Sequence, residues 1–101
     1  MIELKGSQRR HLRSLAHSLD PAVRVGKNGI TDDLISSVDE ALEAHELIKV
    51  KFMDFKEDKK ELSQIISIRS KSHLIGMIGN IAIFYRQNPD KDKRKIFIPG
   101  S

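Results

Sequence analysis

The chain contains no cysteine and no tryptophan, and only four phenylalanines and one tyrosine among its 101 residues. Without cysteine there is no disulfide, no thiolate zinc site, no iron–sulfur cluster and no cysteine nucleophile. No apolar run approaches the ~18 residues of a membrane-spanning helix, and residues 1–7 lack an apolar segment of signal-peptide length. We therefore expect a cytoplasmic protein without a membrane partner.

Catalytic and cofactor motifs are missing as well. No GxSxG, GxGxxG or Walker loop occurs, and His45-Glu46 begins like a zinc-protease motif but lacks its second histidine. The other histidines, His11, His17 and His73, are dispersed along the chain. We expect no enzymatic activity, no catalytic residue, no metal site, no cofactor and no small-molecule substrate.

The distribution of charge is uneven, although the net charge is only +4. Residues 28–48 contain six acids and neither lysine nor arginine, whereas the segments on both sides are basic. If the basic segments meet in space, the molecule has one positive and one negative face. A basic face indicates a polyanionic partner such as a nucleic acid.

The length fits one domain, which we assign to residues 1–101 with a core of about 7–99 and expect to be a monomer. Hydrophobic spacing predicts an N-terminal helix followed by the order βαβαββ. The predicted elements are a helix from a Ser7 cap to about 18, a strand 22–25, a helix 32–45 capped by Thr31, a strand 47–52, a helix 59–72, and strands 74–78 and 81–86 joined at Gly79-Asn80. Residues 95–99 are predicted as a short edge strand or a packed tail. Alternating strands and helices imply a parallel pair, and the final hairpin makes the sheet mixed.

The most informative motif is the loop Gly26-Lys27-Asn28-Gly29, between a strand and a capped helix. Glycines at both ends let the backbone turn sharply and approach a ligand closely. N–H groups of the following helix can hold a phosphate, Lys27 adds charge and Asn28 adds a donor. GxxG loops clamp nucleic-acid backbones in other domains. A plain turn is the alternative interpretation. A second GxxG, at 76–79, lies in an apolar strand pattern and is interpreted as packing.

Other basic residues are predicted to extend this site. Three arginines share a surface of the first helix, with Arg10 and Arg13 opposite its apolar stripe of Leu12, Leu15, Ala16 and Leu19 and Arg9 on the flank. Three further cations share one sheet face if their strands are neighbours. The candidate RNA-binding residues are Arg9, Arg10, Arg13, Arg24, Gly26, Lys27, Asn28, Gly29, Lys49 and Lys51. Because aromatic residues are few, recognition of backbone and shape is favoured, and with it structured or duplex RNA.

Four segments together resemble the CRM (chloroplast RNA splicing and ribosome maturation) domain in its stand-alone bacterial YhbY form. They read LRSLAHSLDP at 12–21, VRVGKNGIT at 23–31, ALEAHELIKV at 41–50 and IFYR at 83–86. The resemblance covers about residues 7–99. It implies an α/β fold of the α+β two-layer type, with a four-stranded mixed sheet similar to the C-terminal domain of translation initiation factor three. Asn80 stands where such a domain is expected to have a basic residue, so an RNA contact at that hairpin stays open.

The resemblance also implies RNA binding centred on residues 26–29 and association with precursors of the large ribosomal subunit. Ribosomal RNA is then the expected partner, and ribosomal proteins are possible additional partners. Two alternatives remain at this point. The chain binds another structured RNA, such as an intron or a regulatory RNA, or it is a protein-interaction module that uses the acidic helix 32–45.

Overall fold

The computed structural model describes residues 2–100, so the predicted domain bounds of 1–101 include Met1 and Ser101, which lie outside the described residues. The elements are α1 (Gly6–Ala16), β1 (Pro21–Val25), α2 (Asp32–His45), β2 (Leu47–Phe52), α3 (Lys59–Ser70), β3 (His73–Ile78) and β4 (Ile81–Tyr85), with short 3-10 turns at Lys56–Asp58 and Lys91–Lys93. No helix among residues 2–100 is both long and apolar enough to cross a membrane.

The four strands form one mixed sheet in the order β1-β2-β4-β3. β1 pairs with β2 in parallel, whereas β4 runs antiparallel to both β2 and β3. The predicted order of a helix followed by βαβαββ is confirmed, as are the parallel pair and the final hairpin. Gly79 in that hairpin has a φ of +58°, a conformation that favours glycine.

The alternation of residues in β2 divides the core between the two faces of the sheet. Ile48, Val50 and Phe52 are buried on the face covered by α2 and α3, together with Val38, Leu42 and Ile66. On the opposite face, α1 contributes Leu12 and Ala16 to a second cluster. α2 and α3 form one layer on the sheet, and α1 adds a further layer on the other face, which the expected two-layer type did not include.

Helix α1 differs from its prediction at both ends. It begins at Gly6 rather than after a Ser7 cap, because the Gln8 side chain accepts a hydrogen bond from the Lys5 backbone N–H at 2.8 Å. It ends at Ala16, two residues earlier than predicted. Leu19 therefore lies beyond the helix, and Leu15 and Leu19 are both exposed instead of completing the buried stripe.

The segment after β4 forms a packed tail and not an edge strand. Ile98 is buried in the cluster beneath α1, and the Gln8 amide donates to the Pro99 carbonyl at 3.2 Å. The Glu46 carboxylate, which is fully buried, accepts backbone N–H groups from Asn88 at 2.6 Å, Lys95 at 2.6 Å and Ile96 at 2.9 Å. This acid therefore fixes the tail to the start of β2.

Candidate nucleic-acid interface

The loop at residues 26–29 is a tight turn at the carboxyl end of β1. The Gly29 N–H donates to the Gly26 carbonyl at 3.1 Å, and Lys27 and Asn28 project from the turn as exposed residues. Gly29 has a φ of +68°, so the turn requires glycine there. Gly26 has no left-handed φ, and a Cβ placed on it would meet nothing within 4 Å. The expectation that both glycines are needed for the turn is thus correct for Gly29 only.

Thr31 caps α2 as predicted, because its side-chain oxygen accepts the Leu34 N–H at 3.1 Å. Asp32, in the first turn of that helix, pairs with Arg69 of α3 at 2.6 Å. The N-terminus of α2 follows the turn directly, which is the arrangement on which the phosphate prediction depends. Binding of a phosphate by these N–H groups remains a prediction.

Two other loops meet the turn at this end of the sheet. The Val25 carbonyl accepts the N–H groups of Met53 and Asp54, and the Phe52 N–H donates to the Asn80 carbonyl. The 26–29 turn, the residues after β2 and the β3–β4 hairpin therefore lie side by side. A Cβ placed on Gly29 would lie 3.4 Å from the ring of Phe55, which packs against the turn.

At the hairpin, Asn80 accepts a hydrogen bond from the Lys59 ammonium group at 3.2 Å. Lys59 comes from the start of α3 and was not among the predicted site residues. Asn80 brings no charge of its own, but its contact holds a cation beside the hairpin. The only sequence signal that could have indicated Lys59 was its position at the end of a charged turn.

The prediction that three cations share one sheet face is confirmed. Arg24 on β1 and Lys51 on β2 are register partners, and Lys49 lies two residues before Lys51 on the same face. This is the face that carries α1. The side chains of Arg24, Lys27 and Lys51 form no hydrogen bond or ion pair with any residue from 2 to 100, so their charges are free to meet an external anion.

Three of the predicted cations have internal partners instead. Arg9 donates to the Leu74 carbonyl at 3.0 Å and Arg13 donates to the Ile75 carbonyl at 3.3 Å. Lys49 donates to the backbone carbonyls of residues 17 and 19, just after α1. These side chains fasten α1 to the sheet, which was not predicted for any of them.

Arg13 also differs from its prediction in the direction of its side chain, because the sequence pattern placed it on the side of α1 opposite the apolar stripe. Its side chain reaches back across β3, and a Cβ placed on Gly76 would lie 3.0 Å from Arg13 Cδ. This contact supports the packing interpretation of the second GxxG motif. Arg10 is exposed, and its side chain forms no hydrogen bond or ion pair with residues 2–100.

Most acids of α2 lie on the other side of the sheet, because α2 packs on the face opposite α1. Asp32 and Asp33 are the exception, since they begin α2 immediately after the 26–29 turn, and Asp54 also lies beside that turn, where its N–H donates to the Val25 carbonyl. Asp39 and Glu43 pair with Arg86. The two-faced distribution of charge expected from the sequence is therefore present only in part, because α3, with Lys59, Lys60 and Arg69, packs on the same sheet face as α2. Glu46 is not part of the acidic surface, because it is buried beneath the tail.

The perturbed titratable groups lie away from this interface. His73 begins β3 and Tyr85 ends β4, opposite to the hairpin, and their rings stack with centroids 6.3 Å apart. Burial, followed by the charge of Arg9, lowers the pKa of His73. Burial raises the pKa of Tyr85 to about 12, and the nearby Glu46 carboxylate acts in the same direction. Within residues 2–100, no group of three or more histidine or acidic side chains could hold a metal ion.

Comparisons with known proteins agree on one family. The model of the CRS1/YhbY (CRM) domain matches residues 4–86. The chain is 41% identical over 97 residues to the probable RNA-binding protein YqeI of Bacillus subtilis. This alignment covers 95% of this chain and 99% of the relative. It is 35% identical over 100 residues to an RNA-binding protein of Haemophilus influenzae, with 98% of each chain covered.

A solved structure is similar as well. The solution structure of SAV1595 from Staphylococcus aureus, described as a candidate RNA-binding protein, superposes with a TM-score of 0.78 at 39% sequence identity. The superposition covers 93% of this chain and 99% of that one. The predicted family and fold class are therefore both confirmed.

Proposed function

The chain belongs to the CRS1/YhbY (CRM) domain family, and from that premise we propose that it is a cytoplasmic, monomeric RNA-binding protein that assists assembly of the large ribosomal subunit without catalysing a reaction. One observation carries the proposal of RNA binding. Arg24, Lys27 and Lys51 are free of internal ion pairs within residues 2–100 and lie at the turn or on the adjoining strands. The names of the relatives support the same function.

In this proposal the turn at residues 26–29 holds one phosphate of the RNA. Backbone N–H groups of the turn and the Lys27 ammonium group supply the donors, and Asn28 supplies a side-chain amide. Arg24 and Lys51 contact neighbouring phosphates, and each contact releases a condensed counterion. Arg9, Arg10, Arg13 and Lys49 add positive potential around these contacts. Asp39, Glu40 and Glu43 of α2 lie on the opposite sheet face, away from these contacts, whereas Asp32 at the start of α2 is paired with Arg69.

The ribosomal part of the proposal rests on the resemblance to the stand-alone form of the domain. A sucrose-gradient separation of lysate tests it, at low magnesium and at two salt concentrations, with the protein detected by blotting. We expect the protein to migrate with the precursor of the large subunit and to leave it at high salt, because phosphate contacts weaken steeply with salt. Ribosomal proteins of that particle would be its further neighbours.

Two matched variants separate the alternatives in the same gradient. Lys27→Glu should move the protein to the top, whereas neutralisation of Asp39, Glu40 and Glu43 should leave its position unchanged. The reverse result would contradict RNA binding and favour a protein-interaction module built on α2. Crosslinked RNA without ribosomal particles would contradict the ribosomal role and favour an intron or a regulatory RNA.

A further inference from the structure

Helix α1 covers only part of its sheet face. Leu47, Ile75, Ile83 and Tyr85 are buried beneath it. Towards the end of the sheet that carries the 26–29 turn, the cover stops, and Ile78 is 59% exposed on β3. Exposed isoleucines are common singly, so the neighbours of Ile78 decide whether this one has a role.

Those neighbours form a row that crosses all four strands. Arg24 is the register partner of Lys51, Lys51 is the partner of Ile81, and Ile81 is the partner of Ile78. All four side chains stand on the α1 face, because register partners share a face. We call these four residues the open row. With strands about 4.8 Å apart, the row extends across roughly 15 Å.

The open row is cationic on β1 and β2 and aliphatic on β4 and β3. The two cations are directly opposite each other, an arrangement that is unfavourable without an anion between or above them. The two isoleucines offer an apolar surface immediately beside that charge. A ligand that fits the whole row must therefore carry an anion and an exposed apolar face within a few ångströms of each other.

We propose that the open row binds an unpaired nucleotide of the RNA, with its phosphate on Arg24 and Lys51 and its base against Ile78 and Ile81. This inference rests on the proposed RNA-binding function and narrows it to a bulge, loop or end of a structured RNA. In a duplex the faces of the bases are stacked inside the helix, so only phosphates and sugars would meet the row. An unpaired base exposes its face, and contact with isoleucine removes apolar area of both from water.

The test compares three RNA duplexes of the same length and flanking sequence. One is fully paired, one has a single bulged nucleotide, and one carries the same bulge as an abasic site that keeps the phosphate. Binding of the full chain is measured by titration at fixed salt. We expect the bulged RNA to bind about fivefold more tightly than the other two, an effect typical of one partly buried aliphatic side chain.

Variants of two exposed isoleucines assign the effect to the open row. Ile78→Thr keeps the β-branched side chain that suits a strand and should abolish the preference for the bulged RNA. Ile78→Tyr should increase it, because aromatic side chains stack on bases more strongly. Ile68→Thr is the matched control, since Ile68 is 77% exposed on α3 and far from the row. It should leave the preference unchanged.

The outcomes separate this inference from the function on which it rests. If the wild-type chain binds all three RNAs equally and with strong salt dependence, the open row does not bind a base, and RNA binding itself stands. If the preference survives Ile78→Thr or is lost in Ile68→Thr, the base lies elsewhere and the inference is wrong. If none of the RNAs binds in a salt-dependent way, the proposed function fails first.

Discussion

Arg24 and Lys51 are register partners on two parallel strands, and neither forms an ion pair with residues 2–100. Like charges at directly opposite positions of a sheet are destabilising. A chain selected for stability alone would gain by losing one of them. Their juxtaposition is therefore a physical argument for an external anion. Lys49 lies on the same face but differs from them, because its ammonium group donates to the backbone carbonyls of residues 17 and 19.

This difference gives opposite expectations for Lys51→Gln and Lys49→Gln. Lys51→Gln should leave the free energy of unfolding unchanged or raise it by up to ~0.5 kcal/mol. It should weaken RNA binding and reduce the salt slope of binding by about 1. Lys49→Gln should instead lower stability by about 1 kcal/mol, because it loses hydrogen bonds to carbonyls near the end of α1. Thermal melting and salt-dependent titration of both variants are the measurements. A lower melting temperature for Lys51→Gln would contradict the assignment of Lys51 to the binding of an external anion.

Lys27→Glu tests the centre of the proposed site. Lys27 is exposed on the turn and its side chain forms no hydrogen bond or ion pair with residues 2–100, so its charge reversal should leave stability within about 0.5 kcal/mol of the wild type. RNA affinity should fall at least ~10-fold, since a favourable phosphate contact becomes a repulsion. Lys60→Glu on α3 makes the same change of net charge and should weaken binding far less. If the two charge reversals lowered RNA affinity equally, affinity would depend on net charge alone and not on a contact at Lys27.

The two glycines of the turn should respond differently to alanine. Gly29→Ala places a Cβ at a φ of +68°, which should cost about 1–2 kcal/mol. Gly26→Ala introduces no such strain and should leave the melting temperature unchanged or slightly higher. If the phosphate approaches this part of the backbone, Gly26→Ala should nonetheless weaken RNA binding. Normal affinity in a stable Gly26→Ala variant would locate the phosphate elsewhere.

Local patterns were sufficient to predict most of the fold. The alternation in residues 47–52 indicated which side chains of β2 are buried, and Thr31 indicated the start of α2. The Gly79-Asn80 pair indicated the hairpin. In each case the residues that determine the feature are neighbours in the sequence.

The parts that could not be predicted depend on contacts between distant residues. Gln8 begins α1 and also binds the Pro99 carbonyl, so Ser7 does not act as the cap. Arg13 reaches the Ile75 carbonyl across Gly76. Within the candidate site, the sequence indicated Arg24, Lys27 and Lys51, but it gave no means of distinguishing them from Arg9, Arg13 and Lys49, which hold α1.

Glu46 is the clearest case, since the sequence places it in an acidic segment and the structure buries it completely. Its carboxylate accepts three backbone N–H groups from residues 88, 95 and 96. In Glu46→Gln the amide oxygen can still accept the Lys95 and Ile96 N–H groups, but the NH2 group would then face the Asn88 N–H, so the free energy of unfolding should fall by about 1–3 kcal/mol. Limited proteolysis should then cut first after residue 86. Neutralisation of the exposed Glu40 is the control, and equal stability of both variants would contradict this role.

The pH dependence of stability should contain a contribution from His73. Burial and the charge of Arg9 lower the pKa of His73 in the folded chain below the value of 6.5 expected when it is unfolded. Below about pH 6.5 the unfolded chain therefore binds more protons at this residue than the folded chain does, and stability falls as the pH falls. His73→Phe, which keeps a buried aromatic ring, should reduce that slope in denaturant unfolding measured between pH 7 and pH 5. His45→Gln, at an exposed histidine, should keep it. A slope that is the same in His73→Phe and the wild type would show that the titrating group lies elsewhere.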